Sequence, residues 1–255
     1  MSNTGFKIVV PLYNVATWIK NCIDSVKCQN YPHYECVFID DCSTDESLKI
    51  IQQETEGDAR FKIIVNKKKK YPLQNICEGI SALKPKDDDA IVILDGDDWL
   101  AHEKVLSILN SVYSSANVWM TYGSYEEYPA GKKGHYAKQV PPEVIKNNTF
   151  REESWMTSHL KTFRYGLFSK IDRADFMDNN GQYFTMAGDL ALMYPMLEMA
   201  AFKSKFIEDI LYVYNRSNPL NDDKVKHSLQ LETGKHIRAK DKYHPISRSC
   251  EQFLK

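Results

Sequence analysis

Residues 91–94 read Ile-Val-Ile-Leu, and the next four positions hold Asp95, Gly96, Asp97 and Asp98. Four consecutive apolar residues, three of them β-branched, predict a strand buried on both faces, as in a parallel sheet. That strand runs directly into three carboxylates. Uncompensated negative charge at the end of a buried strand is costly, so positive charge is expected beside it. A divalent cation bridging to a phosphate-bearing ligand meets that need, because hard carboxylate oxygens suit Mg2+ or Mn2+. Gly96 allows a tight turn between Asp95 and Asp97. The plain rival is a solvated turn after a strand, for which Asp and Gly are ordinary residues.

The chain leading to this strand alternates regularly. Short apolar runs at 6–10, 34–39 and 61–65 predict strands, the first ended by Pro11 and the second by Asp40-Asp41. Helical spacing follows each: 16–28, with Trp18, Ile19, Cys22, Ile23 and Val26 on one face; a segment from Ser43 or Thr44, either a fitting cap, to about Glu54; and 72–83, opened by Pro72. Strands alternating with helices of ten or more residues predict right-handed βαβ units and a largely parallel sheet.

After a helix near 103–113 the alternation stops. Residues 118–128 read as one or two aromatic-rich strands, and 129–148, rich in Gly, Pro and Lys, as a long mobile loop. Residues 153–170 mix aromatic and basic side chains in a way suited to a binding surface. Residues 189–200 predict a helix that Pro195 should bend, 206–214 a last strand, and 215–255 a mostly polar tail. The organisation expected is one α/β domain in two halves, 1–115 holding the ligand-binding strand ends and 116–255 an irregular second half.

Charge decides which partners are excluded. With 33 basic against 34 acidic residues, nothing favours nucleic acid or an anionic membrane. The chain shows no apolar run of the ~20 residues a bilayer span needs, and no signal-peptide pattern, so a cytoplasmic protein is expected. Its six cysteines, Cys22, Cys28, Cys36, Cys42, Cys77 and Cys250, lack metal-site spacing and read as free thiols in a reducing compartment.

In an open parallel sheet ligands gather at the carboxyl ends of the strands. Three such ends carry polar groups here: Pro11-Leu12-Tyr13-Asn14, Asp40 to Asp45, and Asp95 to Asp98. Neither a GxGxxG nor a GxxxxGK[ST] motif is present, which argues against a glycine-cradled dinucleotide or P-loop site. A carboxylate that binds base or ribose at one strand end, and a metal that holds a diphosphate at another, describe a nucleotide-sugar site.

The motifs VVPLYN (9–14), FIDDCSTDES (38–47), ILDGDDWL (93–100) and AGDLALMYPMLE (187–198) resemble the family 2 glycosyltransferases of the GT-A fold, in order and spacing over about 6–115. Two further stretches, 158–171 and 211–222, resemble a subgroup of bacterial and viral members. The resemblance implies a GT-A, Rossmann-like, mostly parallel sheet flanked by helices, with an irregular acceptor-side region. It implies transfer of a sugar from a nucleotide diphosphate donor, by family habit a UDP-sugar, to an acceptor hydroxyl with inversion at the anomeric carbon. Pro11, Tyr13 and Asp41, with Asp40 beside them, are then expected at the nucleobase, with Asn14 in the same loop. Asp95, next to Gly96, faces ribose or metal, Asp97 is the principal ligand of Mn2+ or Mg2+, and Asp189 is the catalytic base. The chain departs from the family pattern at Cys42, where a glycine is usual, and at Gly188-Asp189, where an acidic pair is usual, so one carboxylate must act alone.

Several assignments compete with simpler roles. Asp189 stands where an N-cap belongs. Asp45 and Ser43 read as turn and cap residues, and Lys67 to Lys70 as a solvated run from which Lys70 reaches toward the diphosphate, as Asn75 does more weakly. Trp155, Arg164 and Tyr165 read equally as core, rim or acceptor contacts, and His159 as a structural histidine. Two other functions fit the same sheet: a nucleotidyltransferase making a nucleotide sugar, and a non-catalytic carbohydrate-binding relative. Homo-oligomerisation stays open.

Overall fold

A computed structural model describes residues 3–115, 117–220 and 227–246 of the 255-residue chain. Strands β1 (Phe6–Leu12), β2 (Tyr34–Asp40), β3 (Phe61–Val65) and β4 (Ala90–Ile93) alternate with helices α1 (Ile19–Lys27), α2 (Ser47–Thr55) and α3 (Tyr71–Leu83). They pair in parallel in the order β3-β2-β1-β4, as the alternation predicted. β1 runs on through Pro11, which lies past the last β1–β4 pair, Val9 with Ile93, so its missing N–H breaks no bond to β4.

The second half makes the sheet mixed. Beyond β4 follow β8 (Lys161–Arg164), β6 (Met120–Tyr128), β9 (Ser204–Asn215) and β5 (Trp99–Leu100), and the short β7 (Lys132–Lys133) turns back on β6. β8 is antiparallel to both β4 and β6, and β5 is antiparallel to β9, whereas β6 and β9 are parallel. The acidic turn at 95–98 therefore links β4, in the middle of the sheet, to β5 at its far edge. That crossing brings the turn to the end of β9.

Alternation along the strands fills both faces. Phe6, Ile8, Val10 and Leu12 of β1 pack with α1 and with α4 (Val105–Tyr113). Val9, with Ile91 and Ile93, packs against α3 and α7 (Gly188–Ala200). Both cores draw side chains from each half of the chain, Tyr212 in one and Met120 in the other.

The structure corrects four expectations. Residues 129–148 are not one long loop: they hold the β6–β7 hairpin and the short helix α5 (Pro142–Asn147). The aromatic and basic stretch 153–170 is largely core. Phe163 is fully buried, Arg164 donates to the carbonyls of Val118, Asp88 and Tyr113, and α6 (Tyr165–Phe168) closes the segment. The polar tail contains helix α8 (His227–Ala239), tied to α7 through Arg151. That guanidinium pairs with Glu198 at 2.5 and 2.9 Å while donating to the carbonyl of Ile237, and both partners are buried. Finally, α2 is not capped by Ser43 or Thr44; Asp45 accepts from the N–H of Ser47 at its first turn.

No helix among the described residues is long and apolar enough to cross a membrane. Cys22, Cys28, Cys36, Cys42 and Cys77 are unpaired thiols. Cys250 and the end of the 211–222 motif lie outside the described residues.

Candidate functional site

The ends of β1, β2 and β4 lie side by side. At the first, Asn14 takes a left-handed conformation (φ 52°), donates its N–H to Ser43 Oγ at 2.9 Å and accepts from the N–H of Thr44. The β1 and β2 loops are thus fastened to each other. Cys42 is also left-handed (φ 66°), the geometry that suits the glycine usual at this position. Tyr13 is half-buried, and its ring carries the Lys69 ammonium 3.1 Å from the centroid. The lysine at this lip is Lys69, whereas Lys70 turns its ammonium to Glu78 at 2.6 Å.

Asp40 and Asp41 are both buried. Asp40 accepts from the Ser43 N–H. Asp41 accepts from the backbone N–H groups of Lys70 and Tyr71 at 2.8 and 2.9 Å, and from the Asn66 amide at 2.8 Å. That amide also donates to Asn75, which is 1% exposed. Asn75 is therefore packed beneath the 66–71 loop and does not reach toward a diphosphate. Asp41 clamps that loop, and an ionised carboxylate retains acceptor capacity beyond three bonds.

At the end of β4 the three acidic residues separate by environment. Asp98 is fully buried, accepting from Tyr212 O–H at 2.6 Å and from the N–H of Asn215 at 2.7 Å. It anchors the turn to β9. Asp97 is half-buried, and its Oδ2 accepts from the Asn218 amide at 2.6 Å. Asp95 is half-buried too, with Tyr212 Oη 3.3 Å from its Oδ2. Burial, together with the charges of Asp189 and Asp97, pushes the Asp95 carboxyl up to about 7 against the pull of Lys161. Gly96 is required by close approach, not by a special turn: a Cβ there would lie 2.6 Å from Leu12 Cβ and 3.3 Å from the Pro11 carbonyl.

Asp95 and Asp97 fit a hard divalent cation on this donor chemistry, since both are carboxylates and the crowding that raises Asp95 is what a cation relieves. Among the described residues no three His, Cys, Asp or Glu side chains form a closed metal cage. The remaining ligands would come from a phosphate-bearing molecule, as is common for Mg2+.

Facing the turn from β8 is Lys161, 1% exposed, whose ammonium donates to Asp189 Oδ1 at 2.6 Å. The Asp189 side chain remains 47% exposed. Burial alone would raise its carboxyl, but the Lys161 charge and hydrogen bond hold it below the ordinary carboxylate value. Asp189 is not the helix cap: α7 is preceded by Ala187 in a left-handed conformation, and Asp189 lies within the first turn. Beside it His159 is buried, stacked on Tyr212 (centroids 4.4 Å apart, 14°) and on Tyr214 (5.4 Å, 17°), and burial, then Lys161, keeps it neutral.

The model of the family described as Glycosyl transferase family 2 matches residues 7–172. The chain belongs to this family. Its members are glycosyltransferases, and the similar curated proteins carry that name. Glycosyltransferase GlyG of Streptococcus pneumoniae serotype 4 is 25% identical over 82% of this chain and 70% of its own length. An uncharacterized glycosyltransferase of Haemophilus influenzae is 33% identical over 46% of each chain. Among solved structures, S. aureus TarS 1-349 in complex with UDP-GlcNAc superposes with a TM-score of 0.60 at 19% identity, covering 84% of this chain and 59% of that one. The mannosyltransferase PcManGT from Pyrobaculum calidifontis, in complex with GDP-Man and Mn2+, gives 0.62 at 17% identity over 95% of this chain and 67% of that one. The fold is thus the α/β GT-A fold that the motifs implied.

For a family 2 chain, the sequence pointed to Asp95, Asp97 and Asp189 as neighbours, and the structure brings all three to one end of the sheet. It also adds Lys161, Tyr212, Asn215 and Asn218, which lie in the 158–171 and 211–222 stretches but to which the resemblance gave no role. A signal existed for one of them. With period two, Lys161 shares a face with Phe163 in a β-rich run, so a lysine points into the core and calls for a carboxylate partner.

Proposed function

We propose that this chain is an inverting, metal-dependent glycosyltransferase that moves a sugar from a UDP-sugar to an acceptor hydroxyl. The observation that carries this reading is the meeting of a cation-suited pair, Asp95 and Asp97, with a half-exposed ionised carboxylate, Asp189, held by Lys161. The ligands named for structural neighbours, UDP-GlcNAc and UDP for TarS and GDP-Man with Mn2+ for PcManGT, support a nucleotide-sugar donor.

In this reading Pro11, Tyr13 and Asp41, with Asp40 beneath, form the nucleobase side. Asp97 and Asp95 would hold Mn2+ or Mg2+. The bound cation would supply Lewis-acid stabilisation of the charge that develops on the departing diphosphate. Asp189 takes the proton from the acceptor hydroxyl as its oxygen bonds to the anomeric carbon from the opposite face. The bond from that carbon to the diphosphate oxygen breaks, and the nucleoside diphosphate leaves with the electron pair. One base therefore suffices, which matches a site with Gly188 where a second carboxylate is usual.

The test is a panel of UDP- and GDP-sugars incubated with Mn2+ or Mg2+, water serving as acceptor. Nucleoside diphosphate should be released from one donor, release should stop with chelator, and NMR of the fresh product should show inverted anomeric configuration. No release from any donor with either metal would overturn the reading, as would release that chelator does not affect.

A further inference from the structure

Asp189 presents two different oxygens. Oδ1 accepts from Lys161 at 2.6 Å, and nearly half of the side chain is exposed although the lysine that binds it is 1% exposed. Oδ2 has no hydrogen-bond partner among the described residues. We propose that Lys161 is a positioning residue for transfer, clamping Oδ1 of Asp189 so that Oδ2 meets the acceptor hydroxyl as an ionised base. This rests on the glycosyltransferase reading above.

Several features favour a dedicated role over an incidental ion pair. Lys161 stands on β8, whose backbone pairs with β4 on one side and β6 on the other, and its side chain is 1% exposed, so the sheet fixes its backbone and the surrounding packing confines its stem. Asp189 lies on α7, in the first helical turn, where the helix dipole also favours a negative charge. The charged and titratable groups facing Asp189 are Lys161, Asp95 and His159, and His159 is held neutral by burial. Lys161 is then the one cation among them. The family's usual acidic pair is Gly188-Asp189 here, so orientation that a second carboxylate would share falls to the lysine.

A mere structural pair and a positioning residue differ in what their loss does to turnover. The donor found by the panel, with Mn2+ and water as acceptor, is used for wild type, Lys161→Met, Lys161→Gln, Lys161→Ala, Asp189→Asn and the Lys161→Met/Asp189→Asn double variant. Calorimetry with UDP and circular dichroism establish that each is folded; should Lys161→Met not fold, Lys161→Gln, which keeps a donor of similar length, carries the test. The expected result is a fall in kcat of about 10²-fold for Lys161→Met, within the range of a compromised general base, with donor KM changed less than about threefold. The double variant should be no slower than Asp189→Asn, because both act through one group. Propylamine, which replaces the atoms missing in Lys161→Ala, should restore part of kcat.

Folded Lys161→Met with near wild-type kcat would overturn the proposal while leaving the base in place, as would propylamine that raises the melting temperature without raising kcat. Asp189→Asn with wild-type kcat would instead overturn the base assignment itself, and the proposal with it.

Discussion

Lys161 and Asp189 lie 28 positions apart in the chain and meet at 2.6 Å, a buried ammonium on the sheet against a half-exposed carboxylate on a helix. The contact changes what Asp189→Asn should do. As a helix cap, Asn would replace Asp at little cost, but Asp189 is not the cap. Asn cannot take a proton from a sugar hydroxyl, so turnover should fall about 10²–10⁴-fold. It also removes the charge partner of a buried lysine, so the melting temperature should drop, by the equivalent of about 1–2 kcal/mol after allowing for the exposed side of the carboxylate. Rate, melting temperature and UDP affinity measured together check this; unchanged rate with a lowered melting temperature would leave Asp189 as a structural anion.

How much of this was legible in the sequence follows from where each contact lies. β1, β2 and β4 are apolar runs bounded by polar residues and separated by helical spacing, so alternation located them and the polar groups at their ends. β8 was hidden because Lys161-Thr162-Phe163-Arg164 has the composition of a surface segment. Lys161 is buried because Asp189 supplies a counter-charge, and Arg164 is half-buried because three carbonyls accept from it. Asp98 could not be told from its acidic neighbours by sequence, and it is the crossing from β4 to β5 that places it under Tyr212 and Asn215. Such long-range partners leave no local periodicity.

Gly96→Ala tests the close approach beneath the acidic turn. The added Cβ would sit 2.6 Å from Leu12 Cβ, an atom tied to its own backbone, and the Gly96 N–H already binds the Pro11 carbonyl. The turn must shift, at about 1–3 kcal/mol, as for other overpacked sites. Asp95 and Asp97 would move with it, so half-maximal activation should need more Mn2+. A variant with unaltered melting temperature and Mn2+ requirement would show that the turn is not wedged against β1.

Asp41→Ala should damage a loop as well as a ligand site. It removes the acceptor of the Lys70 and Tyr71 N–H groups and one of the two acceptors of the Asn66 amide, and a buried donor left unpaired costs about 1–3 kcal/mol. Lys69, which lies over Tyr13, belongs to the same loop. UDP affinity and melting temperature should therefore fall together. Loss of affinity at constant melting temperature would make Asp41 a nucleobase contact alone, not the clamp.

The last prediction concerns pH. Asp95 is raised to about 7 by burial and by its acidic neighbours, above the ordinary carboxylate value it has when unfolded. A group shifted this way binds more protons in the folded state, so its contribution to stability is full below about pH 4 and is lost as pH rises through about 7. His159 acts oppositely: burial lowers it well below 6.5, so the unfolded chain takes its proton first and stability grows as pH rises toward that value. Asp189, lowered, loses its contribution only at more acid pH. Asp98, fully buried beside Asp95 and Asp97, is also raised well above the ordinary carboxylate value and acts in the same direction as Asp95, so between about pH 6.5 and 8 these two carboxyls of the turn are left to dominate, and the metal-free protein should lose melting temperature over that interval. Mn2+ should raise the melting temperature more at pH 8 than at pH 6, because the cation competes with the Asp95 proton. In Asp95→Asn the fall above pH 6.5 should lose the Asp95 share and keep that of Asp98, and the pH dependence of the Mn2+ effect should be reduced, while the rise due to His159 at lower pH persists. Equal Mn2+ stabilisation at pH 6 and 8 in the wild type would count against Asp95 as a ligand that must first give up a proton.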